Sequence, residues 1–151
     1  MSTISNIQEF LVSKKMAIAG VSRDKKKFGY QVFSDLKEKG FEIYPINPKA
    51  ETINGSKCYG SVSELPEGIE NLLIITPKDQ TEAIVSEGIS KGIKNIWIQQ
   101  MSESEESIEL AKKNGINVIS HYCIYMFADP VKGFHKFHRT LAKVFGKYPR
   151  N

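Results

Sequence analysis

A chain of 151 residues, 40% hydrophobic and 25% charged, fits one globular domain that buries its own core without staples. No stretch approaches the ~20 apolar residues of a membrane span. The opening Met-Ser-Thr-Ile-Ser-Asn-Ile-Gln-Glu-Phe is not a signal peptide, and Cys58 and Cys123 make no secreted disulfide framework, so a reduced, soluble, cytoplasmic protein is expected.

In chain order, a short helix over about 5–13 leads into the apolar run Met16–Val21, a strand over 15–21. Val32, Phe33 and Leu36 predict a helix over 29–39; the basic last turn Lys37-Glu38-Lys39 and Gly40 close it. Phe41–Ile46 is the second strand, over 41–46. A short strand near 57–59 precedes a helix over 61–66, whose Ser61 and Glu64 have capping-box spacing. Leu72–Thr76 gives a strand over 71–76. Pro77, at the first helical position with Asp79 behind it, opens a helix over 79–91, marked by Ala83, Ile84 and Ile89 and ended by Gly92. Ile96–Ile98 lies in a strand over 94–99. Ser102 and Glu105 repeat the capping-box spacing for a helix over 103–114, and Val118–Ile119 marks a last strand over 116–120. Residues 121–133 read as irregular, and 134–146 as a helix with Phe134, Phe137, Leu141, Val144 and Phe145 on its apolar side.

The strands are continuously apolar rather than alternating, which is the pattern of a sheet buried on both faces. Strands and helices in alternation predict an α/β fold: an open, mostly parallel sheet with helices on both faces. The expected organisation is a single domain over 1–151, with a core over about 5–125 and a C-terminal amphipathic helix. The net charge of +4 belongs to that end of the chain. Lys132, Lys136, Arg139, Lys143, Lys147 and Arg150 lie in a stretch without an acid, while the rest is slightly acidic.

In such a sheet ligands bind beyond the carboxyl ends of the strands. The first of those loops starts as a dinucleotide fingerprint would, with Gly20, and then departs from it. Ser22 and Lys25 stand where G-x-G-x-x-G wants glycines, and Arg23 to Lys27 add four positive charges before the helix. A serine hydroxyl, basic side chains and free N–H groups at a helix start suit phosphate. The second strand ends in Asn47-Pro48-Lys49, where an NAD-binding fold places an acid for the ribose hydroxyls. Lysine there favours a phosphorylated ribose, as in NADP or coenzyme A.

Gly20-Val21-Ser22-Arg23, Lys27-Phe28-Gly29-Tyr30, Tyr44-Pro45-Ile46-Asn47-Pro48, Lys57-Cys58-Tyr59 and Ile96-Trp97-Ile98-Gln99, in this order, resemble the small CoA-binding domain family. That family is similar to the Rossmann-like amino-terminal domain of the succinyl-CoA synthetase α subunit. The resemblance covers about residues 5–125 and implies a Rossmann-like fold with coenzyme A or an acyl-CoA across the strand ends. It implies cofactor-binding residues at Gly20, Val21, Ser22, Arg23, Lys27 and Phe28, with the diphosphate near Ser22 and Arg23. The 3′-phosphate end is implied near Asn47, Pro48 and Lys49, and Thr76, Pro77 and Gln99 line the remainder. The family usually has an acid shortly after the position of Cys123, and this chain has Ile124-Tyr125-Met126-Phe127.

No catalytic set is expected. His121 and Cys123 are two positions apart, so an extended segment would point both one way; a mixed disulfide between Cys123 and coenzyme A is one consequence to test. No spacing suits zinc. The expected function is therefore a stand-alone CoA-binding protein that senses, buffers or delivers its ligand. The alternatives are an NADP-dependent oxidoreductase and an adaptor acting through the basic C-terminal helix. Neither a membrane nor nucleic acid is expected as a partner; a protein partner or a homo-oligomer stays open.

Overall fold

The computed structural model describes residues 4–127. The chain runs α1 (Ile4–Val12), β1 (Lys15–Ala19), α2 (Phe28–Glu38), β2 (Glu42–Ile46), β3 (Thr52–Ile53), β4 (Ser56–Lys57), a 3-10 turn at Val62–Glu64, β5 (Asn71–Ile74), α3 (Lys78–Lys91), β6 (Asn95–Ile98), α4 (Glu105–Lys113), β7 (Asn117–Ile119) and a 3-10 turn at Ile124–Met126. Five strands form one sheet in the order β2-β1-β5-β6-β7, every neighbouring pair parallel. From β1 the chain moves outward to β2 and then crosses back to β5. That reversal opens a crevice at the carboxyl ends of β1 and β5.

Both faces of the sheet are covered, so the strands are apolar beyond a polar first residue. Met16, Ile18, Leu73 and Trp97 pack with the buried side chains of α1 and α2 on one face. Ala17, Ala19, Leu72, Ile74, Ile96 and Ile98 pack with α3 and α4 on the other. This is the Rossmann-like α/β architecture expected from the sequence.

The amino edge of the sheet is closed by side chains. Asn71, Asn95 and Asn117 open β5, β6 and β7 in register. Asn117 Nδ2 donates to Asn95 Oδ1 at 3.3 Å, and Asn95 Nδ2 to Asn71 Oδ1 at 2.8 Å. Asn71 Nδ2 donates to the Phe10 carbonyl and to Ser13 Oγ, both at 2.9 Å, which fastens the end of α1.

Several boundaries differ from expectation for local reasons. The helix expected over 61–66 is a single 3-10 turn, because Pro66 forces Leu65 into an extended conformation (ψ 148°). Ser61 there bonds the side chains of Ser63 and Glu64 rather than a backbone amide. The cap of α4 is Ser104, in a reciprocal capping box with Ser107, instead of Ser102 with Glu105. Ser102 is buried, and its carbonyl accepts the Thr81 hydroxyl at 2.6 Å. The strand expected near 57–59 is the second arm of a hairpin that turns at Asn54-Gly55, both with positive φ. Tyr59 then extends the sheet beyond β2 by a parallel bridge to Ile46. The helix expected over 134–146 and its basic stripe lie outside the described residues.

The asparagine ladder gives a direct test. Asn71→Ala leaves the Phe10 carbonyl and the Asn95 amide without partners at a buried site, a loss of about 1–3 kcal/mol. Thermal unfolding should show it as a fall in Tm of roughly 2–4 °C per kcal/mol. An unchanged Tm would mean that the ladder does not hold α1.

Candidate functional site

A cleft of about 610 Å³ opens at the carboxyl ends of β1, β2 and β5. Ala19 and Gly20-Val21-Ser22 form its floor. Asn47-Pro48-Lys49, together with Gly60-Ser61-Val62, forms one wall, and Thr76 with the Asp79, Gln80, Ala83, Ile84 and Glu87 face of α3 forms the other.

Two glycines set the floor. Gly20 has φ +99°, and a Cβ there would stand 2.9 Å from the Ile75 carbonyl carbon. A Cβ on Gly29 would stand 2.2 Å from the Gly20 oxygen and 3.4 Å from the Ser22 nitrogen. The start of α2 is thus pressed against the end of β1. Gly29 serves the close helix–strand approach that the third glycine serves in a dinucleotide fingerprint, at a longer spacing.

Between the glycines the loop folds on itself. Ser22 Oγ accepts from the Asp24 amide at 3.0 Å, and Asp24 Oδ1 accepts from the Lys26 amide at 2.9 Å. Asn47 joins this loop to the end of β2. Its Nδ2 donates to the Val21 carbonyl at 2.8 Å, and its Oδ1 accepts from the Lys49 amide at 2.8 Å. The two helices that start at the cleft have no side-chain cap: neither Lys27 before α2 nor Pro77 before α3 bonds a first-turn amide. Their N–H groups and the positive ends of their dipoles are therefore offered to whatever occupies the carboxyl edge.

Of the residues expected from the sequence, Gly20, Val21, Ser22, Asn47, Pro48, Lys49 and Thr76 line the cleft. Arg23, Lys27 and Pro77 are exposed beside it. Phe28 is 37% exposed and stacks on Tyr125, with centroids 5.7 Å apart. Gln99 is buried; its Oε1 accepts the Ile124 amide at 3.0 Å, so it holds the segment after β7. The α3 wall and Gly60-Ser61 were not foreseen. Ala83, Ile84 and Ile89 read as core markers: Ile84 and Ile89 pack against the core, Ile84 also lines the cleft, and Ala83 is exposed, while the fully buried stripe of α3 is Thr81, Val85 and Gly88.

The His121–Cys123 arrangement expected of an extended segment does not form. His121 takes a left-handed backbone (φ +68°), and its Nδ1 lies 3.3 Å from Glu103 Oε1. Burial pushes the Cys123 thiol up, against the opposing hydrogen bonds from Gln99 and the backbone, and burial also pushes Cys58 up. No helix among the described residues is long and apolar enough to cross a membrane.

Both thiols keep their protons more tightly when folded than when unfolded. Their contribution to stability is therefore full below about pH 8.5, the ordinary thiol value, and is lost as pH rises through the higher folded values. Tm should decline between pH 8 and pH 10, and Cys123→Ala should flatten the slope. A Tm that is level to pH 10 would contradict this.

Comparison with known proteins agrees with the geometry. The family described as CoA binding domain matches residues 14–129. The α subunit of ADP-forming acetate–CoA ligase II from Pyrococcus furiosus is 33% identical over 126 residues, which are 76% of this chain and 28% of the ligase subunit. The chain thus spans under a third of that relative. The uncharacterised protein YneT of Bacillus subtilis is 27% identical over 80% of this chain and 90% of its own length. Among solved structures, a conserved hypothetical protein from Pyrococcus furiosus superposes with a TM-score of 0.71 at 35% identity, covering 73% of this chain and 95% of that one.

Proposed function

The chain belongs to the CoA-binding domain family, and from that membership we propose that its cleft binds coenzyme A or an acyl-CoA and holds it without carrying out chemistry on it. The observation that carries this reading is the uncapped start of α2 pressed on Gly20–Ser22, with Lys49 on the wall where an NAD-binding fold puts an acid.

The diphosphate of the ligand lies against Ser22 and the first-turn amides of α2, with Arg23 and Lys27 flanking it. Anions bind well at such a helix start, where N–H groups and dipole act together. The 3′-phosphate lies at Asn47-Pro48-Lys49, and the arm of the ligand leaves past Thr76 and Pro77. Phe28 and Gln99 act at one remove: Phe28 packs the start of α2 on Tyr125, and Gln99 fixes the loop beyond β7. A holding role suits thiols that burial pushes up, since the thiolate is the nucleophile. Sensing, buffering or delivery of the ligand follows from binding without turnover. Two buried free cysteines suit a reducing compartment such as the cytoplasm.

Calorimetric titration tests the ligand. A charge-assisted contact to phosphate contributes about 1.5–3 kcal/mol, so coenzyme A should bind roughly tenfold or more tighter than dephospho-CoA. Lys49→Ala should remove most of that gap. Ser22→Asp sets a negative charge against the diphosphate and should abolish binding while the protein stays folded. NAD or NADP binding as tightly as coenzyme A, or wild-type affinity in Ser22→Asp, would overturn the reading.

A further inference from the structure

Two hydroxyl groups line the cleft next to strand ends, Ser22 after β1 and Thr76 after β5. A hydroxyl has one proton to give and two lone pairs to receive. Following the hydrogen bonds from each group assigns the two opposite polarities.

The assignment begins at Thr81, which is fully buried one turn into α3. Its Oγ1 lies 2.6 Å from the Ser102 carbonyl oxygen, 3.4 Å from Thr76 Oγ1 and 3.5 Å from the Pro77 carbonyl oxygen. A carbonyl cannot donate, so the single Thr81 proton goes to Ser102, where the separation is that of a short, strong O–H···O bond. The contact between the two threonines then has one direction left: Thr76 donates and Thr81 accepts. Thr76 is itself buried, and among the described residues Thr81 is the one acceptor for its proton. Toward the cleft Thr76 therefore presents lone pairs alone. Ser22 has the reverse arrangement. Its Oγ accepts the Asp24 amide at 3.0 Å, and among the described residues nothing accepts its proton, which remains available to a ligand oxygen.

This difference separates two helix starts that are otherwise alike. Neither α2 nor α3 has a side-chain cap, so the dipoles alone do not tell an anion which to choose. The donor hydroxyl stands before α2, beside Arg23 and Lys27. The acceptor hydroxyl stands before α3, whose first turn holds Asp79. We propose that Thr81 is a positioning residue for the cleft. By accepting the Thr76 proton it fixes Thr76 as an acceptor, so the β5 side takes an uncharged N–H or O–H donor of the ligand and turns phosphate away. The arm of coenzyme A carries such donors in its amide and hydroxyl groups, whereas its phosphates at neutral pH are acceptors. The inference rests on the cleft being the coenzyme A site.

Calorimetric titration of the full chain tests it, with coenzyme A and with adenosine 3′,5′-bisphosphate, the nucleotide end without the arm. The quantity to read is the ratio of the two affinities. Thr76→Val removes the acceptor, and the ratio should fall about fivefold, the size of one hydrogen bond between neutral groups. Thr81→Val lets the Thr76 hydroxyl turn its proton into the cleft, so the ratio should fall although Thr76 is intact. Thr81→Ser keeps the relay and should restore the wild-type ratio. Thr81→Val also takes a partner from the buried Ser102 carbonyl and lowers Tm; where it does not fold, Thr76→Val and Thr81→Ser still decide the matter. An unchanged ratio in either valine variant, an equal loss for both ligands, or a low ratio in Thr81→Ser overturns this inference and leaves the cleft reading in place. Wild-type protein that binds neither ligand removes the cleft reading and this inference with it.

Discussion

The contact on which the site depends is the approach of Gly29 to the Gly20 carbonyl, where a Cβ would stand at 2.2 Å. No other residue type lets α2 begin this close to β1. Because it does, the first turn of α2 adjoins Ser22, and the loop from 21 to 28 has to fold outward. It does so through two short side-chain turns, at Ser22 and Asp24, which leave its lysines in water. Asn47 secures the result from the neighbouring strand, since its amide holds the Val21 carbonyl while its oxygen shapes the Lys49 turn. The missing caps of α2 and α3 belong to the same logic. A side-chain cap would occupy the amides that an anionic ligand needs, and α4, which does not line the cleft, carries a full capping box.

The two edges of the sheet are built for different ends. At the amino edge, polar side chains satisfy one another: the asparagine ladder runs from β7 to β5 and ends on α1. At the carboxyl edge, residues with unfavourable backbone are held open by their neighbours. Gly20 shows this at β1, where the conformation costs little because glycine lacks a Cβ. Met101 and His121 show it at β6 and β7, where bulky side chains take the same half of conformational space and Glu103 keeps them there.

Much of this was legible in the sequence, for identifiable reasons. The strands stood out because burial on both faces makes them continuous apolar runs, and turn residues bound the runs. The loops after β1 and β2 could be assigned because ligand sites in open α/β sheets lie beyond strand ends, and the residues there are charged or glycine. What failed were inferences that depend on a competing neighbour. Ser61 and Glu64 have the spacing of a helix start, but Pro66 stops the helix within a turn. Ser102 looks like a cap, but its carbonyl is engaged by Thr81, and Ser104 takes the role. The α3 wall was hidden because core-facing and cleft-facing residues of one helix repeat with the same period. Val85 is fully buried while Ile84 both packs on the core and lines the cleft, and spacing alone does not separate the two. The bracing role of Gln99 depends on a segment 25 residues later, a separation at which no local pattern operates.

The cleft also carries opposed charges, and this limits what sits where. Lys49 and Ser22 lie on the floor and first wall, while Asp79 and Glu87 lie on α3 opposite. A phosphate moved across the cleft would exchange attraction for repulsion. An elongated ligand with its phosphates at one end is therefore oriented before any of its hydrogen bonds is made, with the charged end toward α2 and β2. The hydrogen bonds bracing the two halves do not overlap: Asn47 links the loops of β1 and β2, while Glu103, Gln99 and the Tyr122 carbonyl link those of β6 and β7. Only β5, with Thr76 at its end, stands between them. The carboxyl edge thus consists of two separately braced groups of loops with one strand between them.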